Sequence, residues 1–366
     1  MPGAKTLPIN LNLLINSDCG IFYHASIIEC LPYGMEWLTT HISMMTKSDG
    51  EITIGVDERP FMVEHFSEIL DTDYIDYEDV APERVVQTVR NLIDGGCYAY
   101  VFMNTGIAFQ GQDRPNPFLH NYVVYGYDDS EQLFKVAALF STGVRDVRVT
   151  YDNFRKSYEY IVRRLKDNPS ERFNEYFAQY YVITYVKPRD YRVKNKKYIH
   201  DAMRVLKYYL IGKKLTVHDY ADRGPNGGEN ADYTQYSGIG IIKGMAELID
   251  KYESDRLVWR GISRIDKSAK RISEMHELLL NLLQMLADKA DLHSDVCDGL
   301  IEQYGRLTRT AKKCHLMAMK FVVDGNERTL FKMRDMYESM FADETQTLST
   351  LYGHVYERLL TKPRFD

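Results

Sequence analysis

His120-Asn121-Tyr122-Val123-Val124-Tyr125-Gly126-Tyr127-Asp128-Asp129-Ser130-Glu131 is the stretch on which the fold turns. Branched and aromatic residues from His120 to Tyr127 read as a buried strand, and Asp128 to Glu131 as a polar turn. The run Gln132 to Phe140 returns as a second strand, so the two make a hairpin. The pattern extends in both directions. Cys97 to Asn104, after the turn signal Asp94-Gly95-Gly96, reads as a buried strand. Tyr180 to Val186 reads as another, stopped by Lys187-Pro188.

From about residue 195 the texture changes. Leu, Met and Ile recur every three or four residues over Tyr198 to Ile211, Gly238 to Tyr252, Leu257 to Ala290, Val296 to Val323 and Arg328 to Leu360, which predicts long helices packed as a bundle. Residues 219–237 include Arg223-Gly224-Pro225-Asn226-Gly227-Gly228 and carry no apolar pattern, so they are expected to form a long loop, disordered or a functional lid. The expected architecture is α+β, with a strand-bearing domain over 1–190 and an all-α domain over 191–366.

Composition narrows the function classes. The chain has 366 residues, 45% hydrophobic and 27% charged, enough for two domains and too apolar for intrinsic disorder. No run approaches the ~18 apolar residues of a membrane span, and the N-terminus lacks the order of a secretory signal, so a cytoplasmic protein with no membrane partner is expected. Cys19, Cys30, Cys97, Cys297 and Cys314 form no close pair, which argues for free thiols over a disulfide framework or a zinc module. There is no HExxH and no GxxxxGK[ST] loop, so neither metal nor ATP is expected.

One of the five thiols stands at a helix start. Ser17 or Asp18 can cap a helix beginning near Cys19, with Ile21, Phe22, Ala25 and Ile28 on one face. In the first turn, backbone amides and the positive end of the helix dipole favour a thiolate. The plainer account is a small buried residue. A nucleophilic thiol needs a base, and His120 at the mouth of a strand, after the irregular stretch from Gly111 to Pro117, suits that role.

Asp18-Cys19-Gly20 before an apolar helix, His120 to Asp129 followed by Leu133-Phe134-Lys135-Val136-Ala137, and Val149 to Arg155 resemble the papain-fold cysteine acyltransferases typified by the butirosin-pathway enzyme. Tyr208 to Lys213 and Tyr236 to Gly240 extend the resemblance over most of the chain. It implies a papain-like N-terminal domain with an antiparallel sheet, followed by a helical domain covering the substrate site. It also implies transfer of an acyl group from a carrier-protein phosphopantetheine thioester to a small-molecule amine in antibiotic or other specialised-metabolite pathways, including the amide-forming step of polythioamide assembly. The phosphopantetheine arrives on an acyl or peptidyl carrier protein, so no bound cofactor is expected.

The third catalytic position departs from that pattern. Where relatives carry an Asp or Asn after the hairpin, pairing sets the apolar Ala138 and Leu139 opposite His120. Asn104, at the end of the preceding strand, is the substitute expected to orient His120, with Asp113 and Asn116 as loop candidates. Asp128, about 26 Å along the strand at about 3.3 Å per residue, belongs to the turn. The backbone amide of Cys19 would donate to an oxyanion, with Asn16 or Asn12 as a carboxamide supplement; Leu13 occupies the usual position of that carboxamide.

Residues 187–214 hold ten basic and two acidic side chains, +8 locally against −14 for the rest of a chain of net charge −6. A basic strip centred on Lys194, Lys196 and Lys197 fits an acidic carrier protein, and without a recognition motif it does not indicate nucleic acid. A solvated helix face gives the same count. The leading expectation is an amide-forming acyltransferase using Cys19 and His120. A cysteine peptidase or amidase with the same pair is the first alternative, and an inactive binding protein is the second.

Overall fold

The computed structural model describes residues 3–17, 19–46, 51–56, 63–111, 118–140, 143–168, 182–212, 214–218, 232–255 and 260–361. In chain order the first elements are β1 (Ala4–Thr6), α1 (Cys19–Ile28), α2 (Gly34–His41), β2 (Ile42–Thr46), β3 (Ile52–Val56), β4 (Leu70–Asp76) and α3 (Val85–Asp94). There follow β5 (Tyr98–Asn104), α4 (Thr105–Gln110), β6 (Leu119–Asp128), β7 (Leu133–Phe140), β8 (Gly143–Thr150), α5 (Tyr151–Asp167) and β9 (Val182–Pro188). The remainder is α6 (Asn195–Ile211), β10 (Lys214–His218), β11 (Asp232–Tyr236), α7 (Gly240–Asp255), α8 (Arg260–Lys289), α9 (Asp295–Asp324) and α10 (Glu327–Thr361). The class is therefore mixed α and β.

The chain packs as two units, Met1–Gly34 with Met62–Tyr191, and Met35–Phe61 with Arg192–Asp366. Residues 35–61 thus differ from the expected grouping with 1–190. The reason is a buried ion pair: Arg271 of α8, 5% exposed, donates to Glu51 Oε1 at 2.6 Å and to the Ile52 carbonyl at 2.5 Å. Ser268 Oγ also accepts from the Ile52 amide at 3.0 Å. The hairpin of β2 and β3 is held on the helical unit by these contacts.

In the first unit one antiparallel sheet runs β4-β9-β5-β6-β7-β8, with β1 also on β6. The predicted hairpin is β6 and β7, with an irregularity between Val124 and Gly126. Gly126 sits there because β1 passes close by: a Cβ at that position would lie 2.8 Å from the Lys5 carbonyl oxygen. Strand alternation then separates two faces. Tyr100, opposite Val123, faces α1, whose Tyr23 and His24 rings lie 6.3 and 4.8 Å from it. Val124 pairs with Val136, and Phe134, two residues along, meets Phe154 of α5 at 4.6 Å.

Helix α1 is buried on every side: Ile21, Phe22, Ala25, Ser26, Ile27 and Ile28 are each 0% exposed. The one-face reading of that helix is therefore too narrow; a helix apolar all round belongs in a core. Edge strands β4 and β8 went unread because their sequences, LDTDYID and GVRDVRVT, are largely polar on the solvent side. In place of one long loop over 219–237, β10 and β11 pair antiparallel, and 219–231 lie outside the described residues.

The second unit has the five helices expected from the apolar period, each within three residues at either end of its prediction. Four of them meet on one buried carboxylate. Glu344 of α10 accepts from Tyr209 of α6 at 2.9 Å and Tyr304 of α9 at 3.0 Å, and lies 3.2 Å from His276 Nε2 of α8.

Candidate functional site

Cys19 is the first residue of α1. Its side chain, and Asp18 before it, lie outside the described residues. The direction of α1 follows from its neighbours: Tyr23 Oη accepts from the Leu139 amide at 3.2 Å, while Tyr98 at the other end of β5 senses Cys30 beyond the end of the helix. The start of α1 is therefore at the end of the sheet where β5 finishes and β6 begins, the end that also carries His120; along β6, however, alternation gives His120 the face of Val124, which α5 covers, and not the Tyr100 face that α1 covers.

His120 is the second residue of β6, opposite Met103. It is partly buried, 5.5 Å from the ring of Phe118 and 5.4 Å from that of Tyr122. Its Nδ1 is 2.7 Å from the Asn121 carbonyl oxygen. A carbonyl only accepts, so Nδ1 carries a proton, and in the neutral ring the lone pair is then on Nε2. That is the tautomer a general base needs. The orienting group is a main-chain carbonyl, which no residue type in the sequence signals.

Asn104 does a different task. It is 0% exposed and caps α4, its Oδ1 accepting from Gly106 and Ile107 amides at 3.0 and 3.3 Å. Its backbone amide donates to Ser157 Oγ of α5 at 2.8 Å. In register Asn104 pairs with Leu119 and Met103 with His120, so alternation sends Asn104 and His120 to opposite faces of the sheet. The expected Asn104 to His120 hydrogen bond is replaced by the Asn121 carbonyl. The hairpin also closes on a four-residue turn, Asp128 pairing with Leu133, and beyond the irregularity Ala137 pairs with Val123; extending that pairing sets Phe140 rather than Ala138 or Leu139 level with His120. Asp113 and Asn116 lie outside the described residues.

The other named positions separate cleanly. Asn16 donates from Nδ2 to the Leu13 carbonyl at 3.1 Å, and the Asn12 amide donates to Asn10 Oδ1. Asp128 organises the hairpin turn, its Oδ1 accepting from the amides of Ser130 at 2.9 Å and Glu131 at 3.3 Å. The Ser130 hydroxyl bond and those amides hold its carboxyl below the ordinary range.

Desolvation disfavours the thiolate at each of the four cysteines whose side chains are described. It pushes Cys30, Cys97 and Cys297 upward, and Cys314 up to about 12. Cys297 also stands in a helical first turn, three residues after the cap Ser294, a feature that the residue pattern alone did not single out. There desolvation and the nearby Asp298 carboxylate outweigh the helix start.

Lys194, Lys196 and Lys197, with Arg192 and His200, line an open basic basin on the second unit. Among the described residues no group of three or more His, Cys, Asp or Glu is placed to hold a metal ion, and no helix is long and apolar enough to cross a membrane. Compared with known proteins, the chain matches no protein-family model and no curated sequence.

Proposed function

We propose that the first unit is a papain-like cysteine acyltransferase that forms an amide from a carrier-protein thioester and an amine. The observation that carries this reading is the helix start: Cys19 opens α1 at the sheet end where β6 begins with His120, so the His120 ring has to turn about that end from the opposite face to meet the thiol, while desolvation disfavours the thiolate at Cys30, Cys97, Cys297 and Cys314. Cys19 attacks the thioester carbonyl, the helix-start amide of Cys19 donates to the tetrahedral oxyanion, and the phosphopantetheine thiol leaves with a proton. The incoming amine then attacks the acyl-enzyme while Nε2 of His120 takes its proton, and the Cys19 thiolate is released. A transferase, rather than a hydrolase, requires that water reach the acyl-enzyme more slowly than the amine does.

Intact-mass measurement on the protein incubated with an acylated carrier protein tests this. An acyl adduct on Cys19 is expected, lost in Cys19→Ala and retained when Cys30, Cys97, Cys297 or Cys314 is replaced by Ala. His120→Ala is expected to slow amide formation about 10²–10⁴-fold. Absence of an adduct together with inert Cys19 towards iodoacetamide at neutral pH would overturn the reading. An adduct that clears equally fast without amine would move it to hydrolysis.

A further inference from the structure

Three concavities of the second unit share walls along one helix. The basic basin is lined by Lys196 and His200 of α6. Both also line an adjoining groove of about 570 Å³, whose other walls include Tyr352, Tyr356 and Leu360 of α10. The groove in turn shares Arg204 and Tyr208 with a smaller cavity of about 100 Å³, closed by Ile42, Met44, Met275 and Leu279. Lys196, His200, Arg204 and Tyr208 are spaced by four, which on a helix makes one continuous ridge. From the first to the last it spans about 18 Å at 1.5 Å per residue.

Charge and polarity change along that ridge. Beside the basin Lys197 and His200, with Arg204 from the groove, converge on Asp201, at 3.7, 3.3 and 3.8 Å, so one carboxylate faces three basic side chains and positive charge is left over. The Arg204 guanidinium reaches back towards Asp201, which lays its aliphatic stem along the groove. Farther on, Tyr352 and Tyr356 stack at 6.3 Å, and the cavity beyond is mainly apolar. A cavity of ~100 Å³ is smaller than one that takes benzene and suits the end of an unbranched chain.

We propose that this face binds a free single-chain phosphate monoester. Its phosphate sits in the basin against Lys196 and His200, its chain follows the α6 ridge past Tyr208, and the chain end enters the cavity beside Met275. From His200 to Tyr208 the path is about 12 Å at 1.5 Å per residue, the reach of a chain of about ten carbons. The site is independent of Cys19 and of the acyltransferase reading.

Titration calorimetry of the full chain with decyl phosphate below its micelle concentration tests the site, with inorganic phosphate, butyl phosphate and decanol as comparisons. One decyl phosphate per chain is expected, at least tenfold tighter than each comparison. Exchanging charge with K196E and H200E should weaken decyl and butyl phosphate alike, at least tenfold. Val205→Phe, which fills the cavity, should erase the preference for decyl over butyl phosphate and leave butyl phosphate unchanged; Ser43→Leu, also at the cavity wall, gives the same readout if Val205→Phe fails to fold. Equal affinity for decyl and inorganic phosphate would overturn the proposal. So would several decyl phosphates per chain insensitive to both cavity variants, or attachment only to vesicles containing a single-chain phospholipid.

Discussion

His24 carries a proton in the unfolded chain near pH 6 and gives it up on folding. In α1 its ring stacks between Phe66 at 4.4 Å and Tyr100 at 4.8 Å. Desolvation lowers its pKa to about 4, opposed by the hydrogen bond from Nδ1 to the Gly20 carbonyl. Because the folded value lies below the unfolded one, the unfolded state binds the extra proton. Stability is therefore fully present above about pH 6.5 and is lost as pH falls towards 4, by about 3 kcal/mol. His24→Phe keeps the stacking and removes the titration. Urea unfolding at pH 7.5, 5.5 and 4.5 should show a flatter acid slope in that variant, and an unchanged slope would rule His24 out as its source. At this scale the helix start at Cys19 and the strand start beside His120 were legible in the sequence. The sequence misassigned Asn104 because residue type does not say which face of a strand a side chain takes, and it could not see the Asn121 carbonyl that holds His120.

Helices fared better than strands, for a physical reason. A 30-residue helix such as α8 or α9 repeats its apolar period many times, whereas β4 and β8 at the sheet edges bury too little to show one. What the helical pattern conceals is the polar contact inside it. Glu344 and His276 read as ordinary helix-face residues, yet both are 0% exposed and join α6, α8, α9 and α10. Burial alone would lower the His276 pKa, but the Glu344 carboxylate and its hydrogen bond hold it above the ordinary value. The pair thus contributes stability that is fully present below about pH 6.5 and is lost as pH rises through the elevated value. Glu344→Ala leaves a buried imidazole and two tyrosine hydroxyls without their acceptor, and should cost about 3–5 kcal/mol in urea unfolding. Glu344→Gln retains the shape but not the charge, so it should abolish the decline as pH rises above about 6.5; persistence of that decline would assign it to other groups.

Across the whole molecule, the change of texture near residue 195 marks a true change of packing, but sequence continuity hides an exchange. Residues 35–61 belong with Arg192–Asp366 although some 130 residues intervene, since a short hairpin has no period long enough to announce its partner. The decisive contact joins Arg271 to Glu51, 2.6 Å apart with side chains 6% and 14% exposed. Cutting the chain at 191 would leave Arg271 buried without its carboxylate, a loss of about 3–5 kcal/mol. A fragment of residues 192–366 should therefore unfold at markedly lower urea than the helical unit of the intact chain, followed by hydrogen exchange at the α8 amides. Joining residues 35–61 to that fragment by a flexible linker should restore the midpoint, and Glu51→Ala in the joined form should remove the gain. If the bare fragment matches the intact unit, the hairpin is an ornament on a self-sufficient bundle; if only the joined form matches it, the helical unit is completed by a segment that the chain lays down before it has made most of the sheet.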